Sequence, residues 1–301
     1  MTRLSDATVN RLRDIAVWPD LPPDRYEIRS VIGRGGMGAV YLAQDRLLDR
    51  EVALKVSSAA SADGALEARL RQEAVVLSKL EHPGIVPVHD AGRLADGRWF
   101  YVMKFVRGTT LHEHAATLSG EAAILGVFER IVETVAFAHA AGIVHRDLKP
   151  SNIMVGSFGE VLVLDWGVAR VLASDSTLDA GVRVGTPGFM APEQREGGSA
   201  GPAADVYSLG RLLTWLVKDM RLPIRLRAIM ARCQVHLPRD RYVDARDLCE
   251  DITRYRADHP VEAHKESVFE RGWRWADRYR TFIGLVLAYL LMRLAFAWWS
   301  R

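Results

Sequence analysis

The 301-residue chain predicts an α+β fold with a hydrophobic helix near its C-terminal end, and three observations carry that prediction. Residues 32–40, Ile-Gly-Arg-Gly-Gly-Met-Gly-Ala-Val, read as a tight hairpin loop between strands, because glycines without β-carbons let backbone amides approach other groups closely. Residues 52–56, Val-Ala-Leu-Lys-Val, read as an apolar strand with one lysine, and residues 65–80 as the helix that follows. Residues 282–299 form an 18-residue stretch whose only charge is Arg293, long enough to cross a hydrocarbon layer of about 30 Å.

Each element has its own reason. Residues 1–16 lack the apolar core of a signal peptide and read as a short amphipathic helix, with residues 20–24, Asp-Leu-Pro-Pro-Asp, as a linker. After the glycines, Ala39-Val40-Tyr41-Leu42 continues as a strand, whereas a dinucleotide-binding glycine motif would open a helix. Lys55 is costly to bury without an anion, and phosphate oxygens or Glu73 of the next helix can supply one. Residues 101–106 end another strand, and Val161-Leu162-Val163-Leu164 is a strand that delivers Asp165-Trp166-Gly167.

Composition bounds the rest. With 49% hydrophobic and 26% charged residues, the chain fits one large domain plus an appendage. A net charge of +3 is too small to argue for a nucleic-acid partner. Cys233 and Cys249 show no CxxC spacing, which suits core residues in a reducing compartment. His112-Glu113-His114 lacks a third ligand in a matching motif and reads as a helix start rather than a metal site.

Residues 145–152, His-Arg-Asp-Leu-Lys-Pro-Ser-Asn, are the most informative string. Asp147 can accept the proton of an attacking hydroxyl, Lys149 can neutralise a transferring phosphoryl group, and Asn152 can hold a magnesium ion beside phosphates. Asp165 supplies a second metal ligand, and a segment containing Gly185-Thr186-Pro187 runs on to Ala191-Pro192-Glu193. With these motifs in this order, the stretch from about Tyr26 to Tyr255 resembles the eukaryotic-like (Hanks-type) serine/threonine protein kinases, and its Gly-Arg-Gly-Gly-Met-Gly and Ala-Pro-Glu-Gln strings look like the bacterial branch.

The resemblance implies a two-lobed fold, a β-rich N-terminal lobe over a helical C-terminal lobe, with ATP and magnesium or manganese in the cleft. It implies a glycine loop of Ile32, Gly33, Arg34, Gly35, Gly36, Met37, Gly38, Ala39 and Val40 over the phosphates. Val40 and Ala53 would roof the adenine, Met154 would floor it, and Met103 would be the gatekeeper. The backbone of Lys104 and Val106 would hydrogen-bond adenine. Lys55, Glu73, Asp147, Lys149, Asn152 and Asp165 would form the catalytic set, with Asp205 bracing the catalytic loop and Arg241 pairing with Glu193. Lys149 and Thr186 resemble the serine/threonine rather than the tyrosine class. Retention of Lys55, Asp147 and Asp165 argues against the alternative, an inactive pseudokinase serving as a membrane-tethered binding module. Proteins are the implied substrates, and autophosphorylation is expected.

Three departures stand out. Trp166 replaces the family's phenylalanine. The 37 residues from Asp205 to Arg241 look too few for the usual helices, so a substrate-docking helix is expected to be missing or reduced. Where related kinases carry phospho-acceptor threonines the chain has Leu178, Asp179, Ala180 and Gly181, leaving Ser174, Ser176 and Thr177 as acceptors or Asp179 as a fixed charge for Arg146.

The expected organisation is an extension and linker at 1–25, a kinase domain at 26–256, a basic juxtamembrane segment at 257–280 and a transmembrane helix at 281–299. Arg293 costs about 2.5 to 3.5 kcal/mol in mid-membrane, offset by nine Leu, Ile, Val and Phe residues at about 0.3 to 0.6 each. Arg271, Arg274, Arg278 and Arg280 place the kinase on the cytoplasmic side of the cytoplasmic membrane, with only Ser300 and Arg301 emerging beyond it. Gly284 and Ala288 offer a small-xxx-small contact for a homodimer.

Overall fold

The computed structural model describes residues 18–21, 24–35, 38–57, 65–166, 169–171, 186–267, 272 and 279–299. The N-terminal lobe is a five-stranded antiparallel sheet of β1 (Tyr26–Gly35), β2 (Gly38–Asp45), β3 (Arg50–Ser57), β4 (Val88–Arg93) and β5 (Trp99–Lys104), in the order β1-β2-β3-β5-β4. Alternation along β3 puts Val52, Leu54 and Val56 on the outer face, packed with Tyr41, Ala43, Phe100 and Val102. Ala53 and Lys55 point the other way, toward α1 (Ala65–Lys79) and the cleft. Because Ala53 pairs with Met103, and Lys55 with both Val40 and Tyr101, the register sets the apolar roof and the single lysine side by side.

The C-terminal lobe is built on α2 (Glu121–Ala140) and α3 (Pro202–Leu216), joined by α4 (Ile224–Cys233) and α5 (Ala245–Arg256). Phe128, Ile131, Val132 and Val135 recur at helical spacing on α2 and meet Leu209, Leu212, Leu248 and Ile252 in one buried core. A Cβ on Gly210 would overlap Cys233, so the glycine lets α3 and α4 approach closely. Between α3 and Arg241 the only helix of regular length is the ten-residue α4, which accounts for the short spacing there.

At both ends, packing continues beyond residues 26–256. Trp18 and Leu21 pack against the outer core of the N-terminal sheet, so this part of the expected linker is docked rather than extended. Residues 1–17, including the expected amphipathic helix, lie outside the described residues. Beyond α5, Val261 is buried and the Asp251 carboxylate accepts the amides of Glu262 at 2.6 Å and Ala263 at 2.9 Å. The C-terminal lobe therefore runs past residue 256, into the expected juxtamembrane segment.

Near the C-terminal end, α5 is followed by α6 (Arg280–Trp299), 20 residues long. Leu285, Leu291, Phe296, Trp298 and Trp299 are all exposed on it. Among the described residues, however, no helix is long and apolar enough to cross a membrane. The expected transmembrane span at 281–299 is corrected accordingly: the helix forms, but Arg293 interrupts its apolar surface.

Candidate functional site: the inter-lobe cleft

The glycine hairpin begins as expected. Gly35 closes against Gly38 and Gly33 against Val40, while Gly36 and Met37 lie outside the described residues. Gly38 has φ 148°, and a Cβ there would overlap the Val56 carbonyl, so only glycine fits under the hairpin. Ile32 and Arg34 are exposed, and Ala39 and Val40 continue β2.

Lys55 Nζ lies 2.7 and 2.8 Å from the two Glu73 carboxylate oxygens and 3.3 Å from Asp165 Oδ1, so one ammonium joins β3, α1 and the C-terminal lobe. Burial alone would lower the Lys55 ammonium, but the Glu73 and Asp165 charges outweigh it and hold it above the usual lysine value. Burial pushes the Glu73 carboxyl up, against the pull of Lys55. Burial and the nearby Glu73 charge hold the Tyr101 phenol well above the usual tyrosine value.

The catalytic loop lies between β6 (Ile143–Val144) and β7 (Ile153–Gly156). Asp205, fully buried on α3, accepts the backbone amides of His145 at 2.7 Å and Arg146 at 2.8 Å. It also meets His139 Nε2 at 2.9 Å, and because the Ala245 amide donates to His139 Nδ1, Nε2 carries the proton. Burial would raise the Asp205 carboxyl, but the hydrogen bond from His139, with help from the Arg146 amide, holds it below its usual value. Arg146 sits at φ 70°, a left-handed conformation unusual for a residue with a side chain. Gln194 Nε2 donates to its carbonyl at 3.0 Å, while Gln194 Oε1 accepts the Ala191 amide.

This loop presents Asp147 in a ring of donors. Lys149 Nζ is 2.7 Å from Oδ2, Asn152 Nδ2 is 3.1 Å from the same oxygen, and Thr186 Oγ1 donates to Oδ1 at 2.9 Å. Asn152 also donates to the Asp147 carbonyl, so its amide nitrogen is spent and its side-chain oxygen is the atom left for a cation. Asp165, at φ 61°, follows β8 (Val161–Val163) with its side chain 46% exposed. Trp166 is buried, its indole N–H donating to the Val163 carbonyl at 3.1 Å and its ring tilted on His145 at 4.6 Å.

Where adenine is expected, Met103 and Met154 pack with Val86, Val106, Leu162 and Leu164. The Lys104 amide donates to the Pro87 carbonyl, which narrows the expected contact of this residue to its carbonyl oxygen. In the lower lobe, Arg241 Nη1 and Nη2 each meet Glu193 at 2.8 Å, and its other N–H groups reach the carbonyls of Val235, Ala203 and His236. Ser174, Ser176, Thr177 and Asp179 lie outside the described residues. Glu113 closes a capping box with Thr110 and His112 stacks on Trp215, which accounts for this histidine-flanked string as a helix start.

His139 and Gln194 were missed by motif reading, since each acts through a partner distant in sequence.

Residues 26–236 match the protein kinase domain family. The chain belongs to that family. It is 41% identical over 203 residues to the serine/threonine-protein kinase PrkC of Bacillus subtilis, covering 66% of this chain and 31% of that protein. To the serine/threonine-protein kinase PknD of Chlamydia caviae it is 36% identical over 250 residues, 72% of this chain and 27% of the relative. The PknD of Chlamydia trachomatis serovar D is 37% identical over 226 residues, 63% and 24%. The chain thus spans less than a third of these relatives, and its kinase fold is the shared part.

Proposed function

We propose that this chain transfers the γ-phosphoryl group of ATP to serine or threonine hydroxyls of proteins. The observation that carries the reading is the Lys55 ammonium, held at once by Glu73 and within 3.3 Å of Asp165 across the two lobes. Such an ammonium is placed to meet the phosphates. Asp147 receives and orients the attacking hydroxyl, Lys149 beside it offsets charge on the transferring group, and Thr186 fixes the free rotation of the Asp147 carboxylate. Val40, Ala53, Met103 and Met154 would enclose adenine, with the Lys104 carbonyl and Val106 amide on its edge.

The donor set fits magnesium or manganese. The Asp165 carboxylate and the Asn152 side-chain oxygen are hard donors, and among the described residues no three His, Cys, Asp or Glu side chains form a metal site alone. Phosphate oxygens would complete the shell, and the ion when bound supplies positive charge beside them.

Purified protein incubated with magnesium and ATP is expected to label itself and a protein substrate on serine or threonine, as read by mass spectrometry. Asp147→Asn should lower transfer at least about a hundredfold with the fold retained. Labelling by this variant at the wild-type rate would refute the assignment.

We infer further that α6 attaches the kinase to the cytoplasmic membrane, the kinase lobes lying on the cytoplasmic side. Exposed Trp298 and Trp299 suit the lipid–water interface, and Arg271, Arg274, Arg278 and Arg280 precede or open the helix. The full chain should float with anionic vesicles and a chain ending at residue 279 should not. Flotation of both would remove α6 as the attachment.

A further inference from the structure

We propose that Arg195 and Arg211 form an acid-reading site beside Asp147, selecting protein substrates that carry an aspartate or glutamate a few residues from the phosphorylated hydroxyl. The inference deepens the proposed kinase reading and rests on it. Thr186 Oγ1 donates to the Asp147 carboxylate at 2.9 Å, so the loop of residues 186–190 starts at the reacting group. It turns back at once, since the amides of Phe189 and Met190 both donate to the Thr186 carbonyl. Three successive carbonyls of the loop are then tied down. Arg211 Nε donates to Gly188 at 3.2 Å, Ser208 Oγ to Phe189 at 2.9 Å, and Arg195 to Met190 through Nε at 3.1 Å and Nη2 at 2.9 Å. Ser208 and Arg211 share one face of α3 at i,i+3 spacing, while Arg195 comes from the helix turn at Pro192–Arg195. The loop is thus held between two guanidiniums. Its outer side is open: Pro187 and Gly188 are exposed, and a Cβ on Gly188 would meet nothing within 4 Å.

Charge decides what this surface would take. Apart from the loop carbonyls, Arg211 Nη1 meets Gln234 Oε1 at 3.4 Å and Arg195 Nη2 meets the Tyr207 hydroxyl at 3.5 Å, all of them neutral groups. Glu193, two residues before Arg195, is taken by Arg241 at 2.8 Å, and among the described residues no carboxylate pairs with Arg195 or Arg211. Lys149, the other cation beside Asp147, is engaged with it at 2.7 Å. A guanidinium does not shed its proton, so two positive charges stand uncompensated at the loop. Arg195 Nη1 and Arg211 Nη2 make no hydrogen bond among the described residues, and a planar carboxylate is the side chain that suits such a fork. Reach agrees with this. Gly188 lies at most about 7 Å of chain from Thr186, and an extended peptide advances about 3.3 Å per residue, so a side chain about two to four residues from the hydroxyl comes over the arginines.

The test uses peptides built around one serine that differ only by Glu or Gln at single positions on either side. At the best position the Glu peptide should have a KM about five- to tenfold below its Gln twin, between an exposed ion pair and a charge-assisted hydrogen bond, with the KM for Mg-ATP the same for both. Arg195→Gln combined with Arg211→Gln should erase that ratio, whereas Arg211→Lys, which keeps the charge, should keep most of it. In about 0.5 M salt the wild-type ratio should shrink toward one, a reading that needs no variant. Anisotropy of the same peptides, labelled and bound without nucleotide, should show the ratio as affinity and reads the surface even in a protein that transfers no phosphate. A wild type that binds the Glu peptide more tightly but transfers nothing would overturn the kinase reading alone. Equal binding of the two peptides by wild type, or a ratio unchanged in the paired Gln variant, would overturn the acid-reading site.

Discussion

The catalytic loop and the Lys55–Glu73 pair face each other across the cleft, yet the first is held through its backbone and the second through side chains alone. Asp205 binds the amides of His145 and Arg146, and Gln194 binds the Arg146 carbonyl, so the loop is fixed to α3 and to the helix turn at Pro192–Arg195. Lys55, Glu73 and Asp165 instead meet at their tips, from a strand, a helix and the segment after a third strand. The difference teaches where the site is preset and where it can be switched. Moving the catalytic loop means breaking several buried bonds together, while moving α1 outward breaks one carboxylate's bonds along with the packing of Leu70, Ala74 and Leu77.

The two ion pairs offer the largest break. Arg241→Met removes all five N–H groups from their partners and leaves Glu193 beside an apolar side chain, so it should cost about 3 to 5 kcal/mol in urea unfolding at neutral pH. Lys55→Met should cost only about 1 to 2 kcal/mol. Burial already pushes the Glu73 carboxyl up, so on losing Lys55 it takes a proton in place of an unpaired charge. Equal losses for the two variants would mean that the N-terminal pair is as fixed as the lower one.

A smaller effect sharpens the account of the catalytic loop. Asp205→Asn should lower stability by about 1.5 to 3 kcal/mol near neutral pH, because the amides of His145 and Arg146 lose a charged acceptor. The Asp205 carboxyl sits below its usual value in the folded protein, so its contribution is complete above the unfolded value of about 3.9 and is lost as pH falls through the lower folded value. The gap between wild type and Asp205→Asn should therefore narrow below about pH 3.9. A gap that stays constant into strong acid would show that shape, not charge, holds the loop.

Sequence and structure agree most closely where chemistry forces residue type. Lys55, Asp147, Asn152 and Asp165 were legible because few other residues can do their work at that spacing, and the structure brings them into one cleft. His139 and Gln194 were not, because their role depends on tertiary neighbours: Gln194 meets a carbonyl 48 positions away and His139 a carboxylate 66 away. Packing beyond residues 26–256 was hidden for a similar reason. Trp18 and Leu21 have the look of a linker until the sheet surface beneath them is known, and Val261 stays with its lobe through Asp251, ten residues back.

Trp166 has a pharmacological side. A ligand can stabilise a minor conformation in which the aromatic residue after the metal-binding aspartate swings out and vacates its space. Here that residue is an indole, almost wholly buried, tied by its N–H to the Val163 carbonyl and leaning on His145. Swinging it out would expose a larger ring and strip a buried carbonyl of its donor, a penalty that phenylalanine does not carry. Compounds that bind with Asp165 turned inward start without that handicap, and a scaffold chosen against this chain should be built for that pose.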